Sequence, residues 1–130
     1  MNFKHTILFV FISYSVFAQN SILYNQSILQ KIEYGLDSIY NYQFDTISEI
    51  EQDLFKKFPN NPLPPLFSAI NLYWKYFPIT PNSKYHEQYV KDITQSIQNS
   101  ESILEKDDDN HEAQFLNLMA RLLIMQYYAD

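Results

Sequence analysis

The sequence predicts an all-α protein in which about five helices pair as antiparallel hairpins and stack into a short solenoid. A repeat at a spacing of 34 residues is typical of stacked helical hairpins, because one hairpin cannot bury its own apolar face. One glycine and no cysteine in 130 residues suit neither a turn-rich β fold nor a disulfide-held scaffold. The repeat pairs Ile32, Gly35, Leu36, Ile39, Tyr40 and Tyr42 with Leu66, Ala69, Ile70, Tyr73, Trp74 and Tyr76.

Residues 1–18 have the pattern of a signal peptide. Lys4 precedes an apolar run from Ile7 to Phe17, and Ala18 supplies a small residue for cleavage. The run is too short for a membrane span, which needs about 20 residues. We therefore expect export to the periplasm or the exterior, with no stable membrane span after cleavage. Residues 19–130 are long enough for one helical-repeat domain.

The first predicted hairpin follows the leader. Helix one is expected between Ser21 and Tyr42, where apolar residues recur at helical spacing. Helix two is expected from Phe44 to Phe58; Asp45 or Thr46 can cap its first turn, and Pro59 ends it. The apolar face of helix two is opposed by acidic side chains that we expect in solvent: Glu49, Glu51 and Asp53.

The second predicted hairpin contains the most apolar helix and a longer loop. Helix three, from about Pro65 to Phe77, has three polar residues, so it should form the centre of the core. Pro78 and Pro81 break the helical pattern, because proline lacks the N–H that a helix interior requires. Helix four is then expected from Ser83 to Lys106.

Helix five is expected to lack a covering helix. Asp109 and Glu112 have the spacing of a capping box, which predicts that the helix begins there. The helix is apolar on more than one face, and the given sequence ends at Asp130 before a partner helix. This predicts an exposed apolar surface at its end: Leu118, Leu122 and Met125. The 19–130 domain is then either a shortened protein or the N-terminal part of a longer one.

Local motifs add a family resemblance. The segment Phe44–Pro62 resembles a tetratricopeptide repeat, with an aromatic residue before the second helix and a Pro-Asn-Asn turn after it. Residues 19–130 are also similar to secreted tetratricopeptide-like proteins of Bacteroidota, in the runs Gly35–Asp45, Tyr73–Tyr76 and Tyr127–Asp130. The resemblance implies a helical solenoid whose concave surface binds other proteins.

The charge and the chemically reactive residues argue against other functions. A formal net charge of −6 disfavours nucleic acid as a partner, since phosphates require a basic surface. His86 and His111 each precede a Glu, as in metalloprotease helices, but Val90 and Phe115 stand where the second His is needed. The run 107–110 lacks the Gly and Glu of a calcium loop. We therefore expect no enzyme activity, metal or cofactor.

The remaining hypothesis is a protein-interaction scaffold with an unidentified protein partner. Its aromatic run from Tyr73 to Phe77 has two interpretations, core packing or anchoring of a partner. The alternatives are a structural or self-associating subunit of an envelope assembly that docks through helix five, and a fragment of a longer protein. Six side chains are the predicted partner contacts: Tyr73, Trp74, Tyr76, Leu118, Leu122 and Met125.

Overall fold

The computed structural model describes residues 21–129, and this part of the chain is all-helical with no strand. The all-α prediction is confirmed. The predicted signal peptide, residues 1–18, lies outside the described residues. Five helices follow in chain order: α1 (Gln26–Tyr40), α2 (Ile47–Lys57), α3 (Leu63–Lys75), α4 (His86–Leu104) and α5 (His111–Ala129).

The helices pack as in a small helical solenoid. Each helix contacts its neighbour in sequence, and α3 also contacts both α1 and α5. The odd-numbered helices therefore contact one another in a row, and α2 and α4 each pack against their neighbours in sequence. Because α3 touches all four other helices, it is the centre of the structure, as its apolar sequence predicts.

Two apolar cores lie on different faces of α3. Phe67 is buried in the first core, whereas Leu66 and Ala69 are buried in the second. The first core is completed by Ile22, Ile28, Ile32, Ile39, Ile47, Ile50 and Leu54. The second contains Ile79, Tyr89, Ile93, Leu116, Ala120 and Tyr127. Burial of both faces explains why α3 carries so few polar residues.

The single glycine permits the close approach of α1 to α3. A Cβ atom on Gly35 would lie 2.6 Å from Cζ of Phe67 and 3.3 Å from Cδ1 of Ile50. Both neighbours are buried, so a larger residue would displace core side chains. The 34-residue repeat places Ala69, another small and fully buried residue, at the matching position of α3.

Several helix boundaries differ from the sequence prediction. Helix α1 begins at Gln26 rather than near Ser21, because the side chain of Asn25 accepts a hydrogen bond from the N–H of Ile28 at 3.2 Å. Helix α4 begins at His86 instead of Ser83, whose hydroxyl accepts from the N–H of Thr80 at 2.8 Å. A side-chain cap thus sets the start of α1, whereas α4 begins without one, after a turn in which the N–H of His86 donates to the carbonyl of Ser83 at 3.1 Å.

The predicted capping box of α5 is wrong. Asn110 caps the helix, since its Oδ1 accepts from the N–H of Ala113 at 2.9 Å. Glu112 is free of this role and bonds instead to residues distant in sequence. Among the described residues, no helix has the length and apolar character needed to cross a membrane.

Candidate binding site

The helix ends form two chemically different edges of the stack. Asn99, near the end of α4, donates to the carbonyl of Asn61, just before α3, at 3.1 Å. At the other end, the rings of Tyr73 on α3 and Tyr89 on α4 have centroids 5.7 Å apart. Helices α3 and α4 are therefore antiparallel, and each edge collects one set of helix ends.

Aromatic rings gather where the odd-numbered helices end, and we call this region the aromatic edge. Tyr40 at the end of α1 contacts Trp74 with ring centroids 5.4 Å apart. Trp74 stacks on Phe77 at 6.2 Å, and Tyr73 meets Phe77 edge-on at 5.4 Å. The aromatic edge comprises Tyr40, Tyr73, Trp74, Phe77, Tyr89 and Tyr127.

The aromatic edge is only partly buried. Tyr73 and Trp74 are half-buried. Trp74 packs against the first core and Tyr73 against the second, which supports a packing role for part of each ring. Tyr40 and Phe77 are 55% and 59% exposed. Rings that combine a fixed position with an exposed face are suited to contact a partner, because little side-chain entropy is lost on binding.

A cavity of about 390 Å³ opens at this edge between α3, α4, α5 and the loop that joins α3 to α4. Aromatic and proline rings make up most of its wall. No charged side chain lines it, and its polar groups are hydroxyls and one amide. The lining residues are Tyr73, Phe77, Pro78, Ile79, Thr80, Pro81, Tyr89, Leu123, Gln126 and Tyr127.

Tyr89 and Tyr127 form the inner wall of the cavity. Tyr89 is buried, and burial raises its pKa to about 12, with smaller contributions from Tyr73 and Tyr127. Tyr89 is therefore a neutral phenol at physiological pH. Burial also raises the pKa of Tyr127, whose hydroxyl hydrogen-bonds to Nδ1 of His86. The wall is thus uncharged and fixed in place.

The structure separates Tyr76 from the other predicted aromatic contacts. Its ring stacks on Tyr85 with centroids 3.6 Å apart. Lys75 and Lys84 place their ammonium groups 5.6 and 5.5 Å from the Tyr76 and Tyr85 rings. Tyr76 does not line the cavity, so this pair belongs to the packing of the α3–α4 loop.

Helix α5 exposes an apolar row that we call the α5 stripe: Phe115, Leu118, Leu122 and Met125. These side chains are between 51% and 67% exposed, and steps of three, four and three put them on one helix face. The predicted exposure of Leu118, Leu122 and Met125 is confirmed. Phe115 is not among the predicted partner contacts, although the same helical spacing places it in the row.

The opposite edge is polar, and Glu112 is its centre. The buried Glu112 carboxylate accepts hydrogen bonds from the Ser21 hydroxyl and from the N–H groups of Ile22 and Leu23 at 3.3 and 3.0 Å. It also accepts from Nδ2 of Asn61 at 2.9 Å. We call this region, with residues 21–23, the polar edge. A cleft of about 460 Å³ lies beside it.

An acidic pair, half-buried Glu51 and buried Asp92, lies between the edges. Glu51 accepts from Nδ2 of Asn71 at 2.9 Å, and Asp92 accepts from Ser68 at 3.0 Å and from Gln88 at 2.7 Å. Oδ1 of Asn71 is buried without a hydrogen-bond partner among the described residues. The expectation that Glu51 lies in solvent is wrong, because α3 covers its face of α2.

Burial sets the titration of this pair. It raises the pKa of the Glu51 carboxyl, and the charge of Asp92 raises it further, while the Asn71 hydrogen bond and Lys75 act in the opposite direction. Burial also raises the pKa of Asp92 against the hydrogen bonds from its two neighbours and the charge of Lys91. Both acids are therefore more easily protonated than free carboxyls.

His86 and His111 have other partners in the described part of the chain. His86 bonds to Tyr127, and exposed His111 lies 3.3 Å from the side-chain oxygen of Gln114. Within residues 21–129, no three His, Cys, Asp or Glu side chains are grouped so that they could hold a metal ion.

The structure thus divides the predicted contacts into three places. Tyr73 and Trp74 lie at the aromatic edge, Tyr76 packs in the loop, and the three α5 residues form most of the α5 stripe. The two surfaces share α5, since Leu123 and Gln126 line the cavity while Leu122 and Met125 are exposed beside them. Comparison of the chain with protein-family models, curated proteins and solved structures finds no match.

Proposed function

We propose that this chain is an exported, tetratricopeptide-like protein-interaction scaffold without catalytic activity. The observation that carries the proposal is the α5 stripe. Four large apolar side chains, each more than half exposed on one helix face, form a patch of the kind that marks a protein interface. Their spacing of three and four residues suits the apolar face of a helix in the partner.

The surroundings of the stripe support a protein partner over a small ligand. Arg121, beside Leu122, donates to exposed Glu101 on α4. A polar group at the border of an apolar patch is the usual arrangement of an interface, with a dry centre and a wet rim. The stripe extends along three turns of α5, a length that a helix can cover along its whole side.

Site-specific photocrosslinking in producing cells tests the scaffold proposal. A photoreactive phenylalanine analogue replaces Leu122, and the matched control carries it at Tyr34, which is 57% exposed on α1. We expect a defined adduct with a second protein at position 122 and none at position 34. Equal labelling at both positions, or no adduct at position 122, would contradict the proposal.

A second candidate function is self-association through α5. The α5 stripe has the alternating three- and four-residue spacing of a coiled-coil seam, so a second copy could cover it. Sedimentation velocity of the purified chain should then show a dimer that Leu122→Glu dissociates and Tyr34→Glu leaves intact. A monomer throughout the micromolar range excludes this candidate, and a heterologous adduct at position 122 favours the scaffold.

Export is the part of the proposal that the leader sequence supports. The short apolar run followed by Ala18 favours cleavage before Gln19. Mass spectrometry of the protein recovered from producing cells should give a chain that begins at Gln19 in the envelope or medium. An intact Met1 on all molecules, retained inside the cell, would contradict it.

A further inference from the structure

We propose that the cavity at the aromatic edge binds a proline-containing, extended segment of a protein partner. This inference rests on the proposed scaffold function and names the chemistry of one partner segment. The cavity is separate from the α5 stripe, because its walls come from α3, the following loop, Tyr89 on α4 and residues of α5 outside the stripe. The two surfaces can therefore be tested independently.

The wall of the cavity suits proline rings in polarity. The rings of Tyr73, Phe77, Tyr89 and Tyr127 border a space of about 390 Å³. Proline-rich segments dock on aromatic-lined grooves because their apolar rings pack against aromatic faces. They also adopt the polyproline II helix before binding, so they lose little conformational entropy.

The absence of charge in the wall selects against ionic side chains. None of the ten lining residues is a Lys, Arg, His, Asp or Glu. Burial raises the pKa of Tyr89 to about 12, so its phenol stays uncharged. A charged group entering this space would lose hydration without gaining an ion pair. An uncharged segment meets no such cost.

The polar groups of the wall suit a backbone that offers carbonyl oxygens. Tyr73 and Gln126 are lining residues whose side chains can donate hydrogen bonds, whereas the Thr80 hydroxyl already lies 3.2 Å from the Ser83 hydroxyl. Proline residues have no N–H, so a proline-rich backbone presents mainly acceptors. Donors on these side chains can pair with the carbonyl oxygens of a proline-rich backbone.

Fluorescence anisotropy of the full exported chain with a labelled oligoproline peptide of about ten residues tests the inference. A Gly-Ser peptide of the same length is the control probe. We expect saturable binding of oligoproline, no binding of Gly-Ser, and at least a roughly tenfold weaker affinity for Phe77→Ala. Phe115→Ala is the matched control, since Phe115 is 54% exposed but lies outside the cavity.

NMR chemical-shift mapping covers weak binding that anisotropy would miss. Oligoproline should shift the signals of residues 77–81 and 123–127 in the wild-type chain. Equal responses to both peptides, unchanged affinity in Phe77→Ala, or shifts elsewhere would overturn the inference. If oligoproline does not bind but the adduct with a second protein at position 122 is found, the scaffold function stands and the proline-binding inference is wrong. If neither is found, both proposals are wrong.

Discussion

At the polar edge the helix ends are joined by hydrogen bonds to one carboxylate, whereas at the aromatic edge they are joined by ring contacts. The Glu112 carboxylate is surrounded by four donors within the protein. Phe77 at the aromatic edge keeps more than half of its surface in solvent. The Glu112 carboxylate of the polar edge is thus occupied by internal donors, whereas exposed rings of the aromatic edge remain available to a partner.

Replacing Glu112 should have the largest effect on this comparison. Glu112→Ala leaves the N–H groups of Ile22 and Leu23 without their acceptor, and unsatisfied buried donors are costly. We expect a loss of about 3 kcal/mol in the free energy of unfolding, measured by urea denaturation. Glu112→Gln retains one acceptor oxygen and should lose less. Equal stability of Glu112→Ala and wild type would show that the polar edge is not a structural tie.

A medium effect is expected from the acidic pair between the edges, and it depends on pH. Because the folded protein raises the pKa of Glu51 and Asp92, their contribution to stability is complete below their ordinary pKa values. It is lost as pH rises through the higher pKa values of the folded state. Asp92→Asn should therefore reduce the fall in stability with rising pH, measured by urea denaturation at several mildly acidic pH values.

Asp53 provides a control of opposite sign. Hydrogen bonds from Lys31 and Lys57 lower its pKa, so its contribution is present above the ordinary pKa of aspartate and is lost as pH falls through the lower folded value. As pH falls, the Asp53→Asn variant should therefore lose less free energy of unfolding than the wild type. The same pH response in Asp53→Asn and Asp92→Asn would contradict the opposite pKa shifts of the two aspartates.

The smallest effect on stability is expected at the aromatic edge. Phe77 is mostly exposed, so Phe77→Ala should lower the free energy of unfolding by less than about 1 kcal/mol in urea denaturation. The same variant should weaken oligoproline binding. A large loss of stability would assign Phe77 to the core and remove the contrast between the two edges.

The α5 stripe shows what local spacing can predict. Leu118, Leu122 and Met125 follow one another at helical steps, so their common face is fixed once the segment forms a helix. Their exposure then follows from the lack of a covering element among the described helices. Phe115 lies three residues before Leu118, so the same spacing places it on this face.

Glu112 and Glu51 show where sequence reasoning stops. Glu112 has the sequence position of a capping residue, yet its partners Asn61 and Ser21 are 51 and 91 positions away. Glu51 has the spacing of a solvent-facing residue on α2, yet α3 provides Asn71 to hold it. Neither partner leaves a signal near the residue, because hydrogen bonds between helices depend on how the helices pack.

The sequence by itself determined the all-α class, the five helices, the apolar character of α3 and the single helix face shared by the α5 row. These features depend on periodicity and helix breakers that act within a few residues of the chain. Only the tertiary structure decided that Glu112 ties the polar edge and that Tyr73 and Phe77 border a neutral cavity. The physical reason is that both features require side chains from several helices, and their meeting is set by packing.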